Sequence, residues 1–151
     1  MVSRIYKCSI SFPGNSTLCS NGKSNRLIQE AYVDSKLANR FGVYSSRVEE
    51  LYTPYAYPQE NGNRHDVRWV SLTNARGVGF IIVGVPRIDF SAHYYTTENI
   101  DKAQHPYELV KQDFITLNLD HKQHGLGSAS CGPDVLSPYQ LKNTLSNSKF
   151  T

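Results

Sequence analysis

Residues 51–64, LYTPYAYPQENGNR, and residues 117–133, LNLDHKQHGLGSASCGP, decide how this chain folds. The first stretch follows an aromatic-rich, irregular β pattern from 41 to 57 that Pro54 interrupts, and it ends in Pro58 and the pair Asn61-Gly62. Glycine tolerates the positive φ of tight turns, so a turn is predicted there. Strands are predicted over 67–72 and 80–85, joined by a turn at 74–77, which reads as a hairpin. The second stretch opens inside a further strand, 113–120. There Ile115, Leu117 and Leu119 alternate with Phe114, Thr116 and Asn118, giving one purely aliphatic face. One short helix is predicted over 98–104, with Thr97 as N-cap, Glu98 and Lys102 spaced i, i+4, and Ile100 and Ala103 on one face.

Taken in order with residues 90–109, FSAHYYTTENIDKAQHPYEL, these stretches resemble the C-terminal β-sandwich domain of the large β-galactosidases, the family 2 glycoside hydrolases. The resemblance covers roughly residues 30–141. It implies an all-β fold, an antiparallel β-sandwich of the galactose mutarotase-like supersandwich type, with residues 26–145 supplying only its C-terminal portion. The family enters the stretch EAYVD at 30–34 through an aromatic and Gly-Pro segment, where this chain reads NRLIQ at 25–29. Residues 1–25 are therefore a divergent segment, and their Ser, Asn and Gly content with no sustained period predicts poor order. Residues 146–151 read as a polar tail.

Composition narrows the remaining classes. At 151 residues the chain is one domain by size. Sixteen Lys and Arg against thirteen Asp and Glu leave a formal charge of +3, but the basic residues are scattered singly, so a nucleic-acid partner is not expected. The longest apolar run, VGFIIVGV at 78–85, is too short for a membrane span, and no secretory signal opens the chain. Cys8, Cys19 and Cys131 make an odd, sparse set that does not read as a disulfide framework. A reducing, cytoplasmic setting is expected.

Retaining glycoside hydrolysis needs two carboxylates facing one another across the scissile bond. The nearest approaches to a pair are Glu49 with Glu50 and Asp113 with Asp120. Neighbours on a strand point to opposite faces and nothing in the sequence forces either pair together, so no catalytic residue is assigned. The resemblance agrees, since the family's catalytic carboxylates lie in another domain. His121 and His124 suggest a metal ligand pair, but zinc wants three or four protein ligands and only Cys131 is near in sequence. No metal site is assigned. The family's Mg and Na ions are implied to lie in other domains, leaving this chain without a cofactor. The run 125–130, GLGSAS, lacks the final glycine of a dinucleotide fingerprint, does not open a helix, and fits no G-x-S-x-G nucleophile pattern.

By resemblance the same loop has a role in binding. Many family members read Gly-Gly-Asp-Asp-Ser-Trp here, the Trp forming part of the sugar-binding rim. This chain is one residue shorter and Cys131 takes the Trp place, so Gly127, Ser128, Ser130 and Cys131 are the implied substrate-rim residues. A thiol offers a smaller contact to a sugar's C–H face than an indole does. Asn61, Arg64 and Glu60 form the other polar cluster of the matching motif, for which turn capping and a buried ion pair outweigh sugar contact.

Phe80, Ile81, Ile82 and Val83 are apolar at consecutive positions, so a strand there needs cover on both faces. In the resembled domain the covering strands lie upstream. Leaving about 500 Å² of apolar face wet forfeits about 10 kcal/mol, as much as a domain's net stability. The chain is thus expected to be a subunit or fragment that completes a hydrolase of terminal β-galactosides such as lactose, partnered by the remaining galactosidase domains or a large catalytic subunit, and by carbohydrate. A free-standing carbohydrate-binding module and a truncated gene product without present function are the alternatives. Exposed aromatics on a flat face favour the module; an uncovered aliphatic face favours the subunit or remnant.

Overall fold

The computed structural model describes residues 4–13, 16–24, 30–127 and 132–142. Six strands, β1 (Arg4–Pro13), β2 (Ser16–Ser24), β3 (Arg40–Arg47), β4 (Arg64–Asn74), β5 (Gly79–His93) and β6 (Phe114–Gln123), make one antiparallel sheet in the order β1-β6-β5-β4-β2-β3. The fold is all-β and antiparallel, as expected. Among the described residues the only α-helix is α1 (Thr97–Lys102), and no second sheet faces the first.

The predicted hairpin is β4 and β5, paired from Thr73 with Gly79 onward. Its turn is held by the Asn74 side chain, whose Oδ1 accepts the N–H groups of Arg76 (2.9 Å) and Val78 (3.0 Å). The strand does not stop at 85 as predicted but runs to His93. Four residues, 84–87, oppose the single residue Arg68, because Val67 pairs with Ile88 while Trp69 pairs with Val83. Within this bulge the missing N–H of Pro86 removes no ladder bond, and the bent strand goes on to pair with β6.

One further expectation is corrected. The helix is capped by Thr96, not Thr97: Thr96 Oγ1 accepts the Asn99 N–H at 3.1 Å, placing Asn99 at the third helical position. Ahead of these elements, β1 pairs with β6, and β2 lies between β3 and β4. A strand flanked by two others satisfies its backbone whatever its side chains, and β2 needs only Leu18 (1% exposed) to reach the core.

One face of the sheet carries the core. Leu18, Val70, Leu72, Phe90, Ala92, Ile115 and Leu117 pack with Val48 and Leu51, which descend from the 3-10 turn Val48–Leu51, and Phe80 and Ile82 join them. The other face is bare on the β3 side. Ile81 and Val83 are 65% and 63% exposed, and Val43 is 66% exposed on β3 in register with the Trp69–Val83 row. The apolar run at 80–83 therefore does present side chains to both faces, and only one is covered.

Candidate functional site

The polar residues of the 51–64 motif are consumed by structure. Glu30 is the hub: Oε2 accepts Tyr32 O–H at 3.0 Å and the Gly62 N–H at 2.9 Å, while Oε1 accepts Tyr55 O–H. Burial and these bonds to a carboxylate push the Tyr55 hydroxyl up to about 12 and the Tyr32 hydroxyl well above its ordinary range. Arg64, 5% exposed, donates to the Gly62 carbonyl at 2.8 Å; burial brings its guanidinium down to about 10 against the opposing charge of Glu30. Gly62 sits at φ 71°, and a Cβ there would lie 2.4 Å from the Leu51 carbonyl oxygen, so only glycine fits the turn. Asn61 Oδ1 accepts Thr53 N–H at 2.9 Å. Asn63 exchanges two 2.8 Å bonds with the Ala31 backbone. Asn61 and Arg64 are structural staples.

His93 belongs to the same layer and is 2% exposed. Its Nε2 lies 2.7 Å from the Asn61 carbonyl oxygen, so that nitrogen carries the proton and donates; Nδ1 has no partner among the described residues. Burial lowers the imidazole pKa below its ordinary 6.5. Unfolded His93 binds a proton as pH falls through 6.5, and the folded form resists it. Stability present above that pH is therefore lost on acidification until the folded pKa is reached. We expect the urea-unfolding midpoint to fall from pH 7 to pH 5 and His93→Gln to flatten that slope. An equal slope in the variant would assign the effect elsewhere.

Of the implied sugar rim, Gly127 borders a hollow of about 420 Å³ lined also by Asp34, Leu126, Pro133, Leu136 and Tyr139. Gly127, at φ 64°, donates its N–H to Asp34 Oδ2 at 2.7 Å. The legs of the loop are stitched together by Gly125 N–H to the Tyr139 carbonyl (2.9 Å) and by Leu141 N–H to His124 Nδ1 (3.0 Å). Of the four implied rim residues only Gly127 is placed; Ser128, Ser130 and Cys131 lie outside the described residues.

A larger cleft of about 700 Å³ lies across Tyr139, which lines both hollows. On it converge His65, Asp66, Arg87, Asp89 and Gln123. His65 Nδ1 is 2.9 Å from Asp89 and Nε2 is 3.4 Å from Asp66 Oδ1; Arg87 reaches the same Asp66 oxygen at 3.1 Å, and Lys36 stands 4.0 Å away. Burial alone would raise the Asp66 pKa, but His65, Arg87 and Lys36 together hold it below the ordinary carboxylate value. Asp66 also sits at φ 57°, its N–H bonded to Asp89 at 3.3 Å. No motif singled out this group, because only the bulged register of β4 against β5 brings Asp89 to His65 and Asp66.

The acids weighed as catalytic pairs do not come together as such. Glu49 bonds Lys111 at 2.7 Å, Glu50 accepts Arg47 N–H at 3.1 Å, and Asp120 is buried while Asp113 is exposed. Among the described residues no three His, Cys, Asp or Glu side chains are arranged to hold a metal ion. His121 lies against the large cleft while His124 is occupied by the Leu141 amide.

This antiparallel β domain, bare on one face, has sequence relatives of known family. The sequence model of the β-galactosidase small chain matches residues 28–151, and the chain belongs to that family. It is 38% identical to the β-galactosidase of Priestia megaterium over 98 residues, 65% of this chain and 10% of that protein. With the Arthrobacter sp. strain B7 β-galactosidase it shares 39% identity over 119 residues, 76% of this chain and 12% of the relative. The Kluyveromyces lactis β-galactosidase is 36% identical over 121 residues, 80% of this chain and 12% of the relative. The chain thus spans about a tenth of the length of these relatives.

Proposed function

We propose that this chain serves as the C-terminal segment of a β-galactosidase that hydrolyses terminal β-D-galactosides such as lactose, closing one side of a sugar site whose catalytic carboxylates stand on another domain. The observation that carries this reading is the bare aliphatic face. Ile81, Val83 and Val43 are each more than 60% exposed in one region of the sheet, with Trp69 only partly exposed among them and the Phe41 ring, half exposed, lying under Arg68 at the β3 edge. An aliphatic face of this kind is an interface waiting for protein, whereas a stand-alone sugar-binding module would present aromatic rings. The remaining galactosidase domains cover it in this reading, the loop at 125–131 supplies part of the sugar rim, and the family's Mg and Na ions belong to those other domains. No helix among the described residues is long and apolar enough to cross a membrane, and a cytoplasmic setting is part of the proposal.

The chain alone is expected to give no turnover of a chromogenic β-galactoside. A chimera in which it replaces the matching segment of the Priestia megaterium enzyme is expected to hydrolyse one. In that chimera Cys131→Trp should shift the KM for lactose about fivefold, the worth of roughly 1 kcal/mol from one added aromatic contact, and leave kcat nearly unchanged. A rim residue acts on binding of the leaving sugar, not on charge at the reacting carbon. Turnover by the isolated chain that disappears with one acid substitution would overturn the reading.

A further inference from the structure

We infer, on the reading of the bare face as an interface, that the galactosidase surface covering it presents an Asp or Glu carboxylate to Arg68 at one corner of an aliphatic patch. Arg68 is exposed, and its Cζ lies 4.8 Å from the centroid of the half-exposed Phe41 ring. Phe41 and Val43 are two residues apart on β3, so they share the bare face, and a layer laid on Val43, Val83 and Ile81 reaches this corner as well. Any such layer takes the guanidinium out of water. A charge moved out of water without a counter-charge is strongly disfavoured, so the covering surface has to supply one. Stacking on Phe41 uses one flat side of the guanidinium and leaves its N–H edge for the fork of two bonds that a carboxylate accepts.

Among the described residues no acid of this chain serves instead. Arg87 and Lys36 are paired with Asp66 at 3.1 and 4.0 Å, and Lys111 holds Glu49 at 2.7 Å. Arg47, farther along the same side of β3, has Glu49 close enough to feel its charge. Arg68 has the Phe41 ring and no carboxylate. The strands that make the face, namely β2, β3, residues 69–74 of β4 and residues 79–85 of β5, contain no Asp or Glu. A second copy laid face to face would therefore offer Arg68 only a surface without acids, on which arginines stand as they do here. Like charges brought together out of water oppose such a pairing, so the free chain has loose apolar self-association and no specific dimer through this face. The complementary surface is aliphatic in the middle, where it meets Ile81 and Val83, and acidic at the Phe41 corner.

The test uses the Priestia megaterium chimera carrying Arg68→Lys, treated with a water-soluble carbodiimide, which joins an amine to a carboxylate in contact with it as an amide. Peptide mass spectrometry is expected to find position 68 joined to an Asp or Glu of the galactosidase outside this chain. In separate chimeras, Arg68→Glu is expected to shorten the half-life of thermal inactivation about tenfold, as reversing one partner of a buried charge pair does. Arg76→Glu, an exposed change in the hairpin turn, should leave that half-life unchanged. No coupling at position 68, coupling only to an acid of this chain or of a second copy, or an Arg68→Glu chimera as stable as its parent overturns the assignment. Ile81→Thr with Val83→Lys reads the interface separately. If that pair destabilises the chimera while position 68 stays uncoupled, the face is covered and only the carboxylate is wrong. If the pair changes nothing, or the parent chimera is inactive, the interface reading falls and the carboxylate with it.

Discussion

Arg64→Ala is expected to cost about 3–5 kcal/mol and to leave the chain largely unfolded, since that is much of the 5–15 kcal/mol a whole domain possesses. The guanidinium is 5% exposed and ties itself to the Gly62 carbonyl, and its charge faces that of Glu30 inside the same layer. Truncation removes the cation and strands the Glu30 carboxylate among donors that are all neutral: Tyr32, Tyr55 and the Gly62 amide. The cost lies in the partly buried Glu30 charge left without a nearby cation as well as in the lost bond and packing of Arg64, and this gives the result a signature. Replacing both partners, Arg64→Met with Glu30→Gln, should recover a good part of the loss, whereas Arg64→Lys, a point charge without the fork, should fall between. Urea-unfolding midpoints for the four chains decide it. A single Arg64→Ala variant as stable as the parent would mean that the 30–32 and 61–64 segments are held by packing alone.

How much of this was legible beforehand depended on whether local pattern or distant register set each feature. Period-2 alternation at Ile115, Leu117 and Leu119 located β6, and the Asn74 turn located the β4–β5 hairpin, because both are written within a few adjacent residues. The strands β1 and β2 escaped, since their order comes from partners more than 40 residues away in places, as in Ser16 with Asn74, and leaves little trace in their own composition. Asn61 and Arg64 were legible as structural because turn chemistry and the need of a buried polar group for hydrogen-bond partners are general. The His65, Asp66 and Asp89 group was not. It depends on a bulge that sets four residues against one, and no spacing rule encodes that.

The bare face makes the largest difference in solution behaviour. Ile81→Thr with Val83→Lys is expected to convert a chain that self-associates into a monodisperse monomer. Both residues are about two-thirds exposed and stand on the side of the sheet away from the core, so the substitutions disturb neither Phe80 nor Ile82, their core-facing neighbours. Threonine keeps β propensity, and a charged lysine interrupts the apolar patch. The same pair must act in the opposite direction once the face is covered. Burying an isoleucine and a valine contributes about 1.5–3 kcal/mol each, so in the Priestia megaterium chimera the double variant should lose about 3–6 kcal/mol of assembly or folding free energy, with activity falling alongside. Light scattering of the isolated chain and thermal inactivation of the chimera read the two halves separately. Gain in the first with loss in the second marks the face as an interface. If the parent chain is already a monomer with one cooperative transition, the sheet is complete without cover. If the variant chimera is as stable as its parent, the rest of a galactosidase does not sit there, and the proposed place of this chain within such an enzyme fails with it.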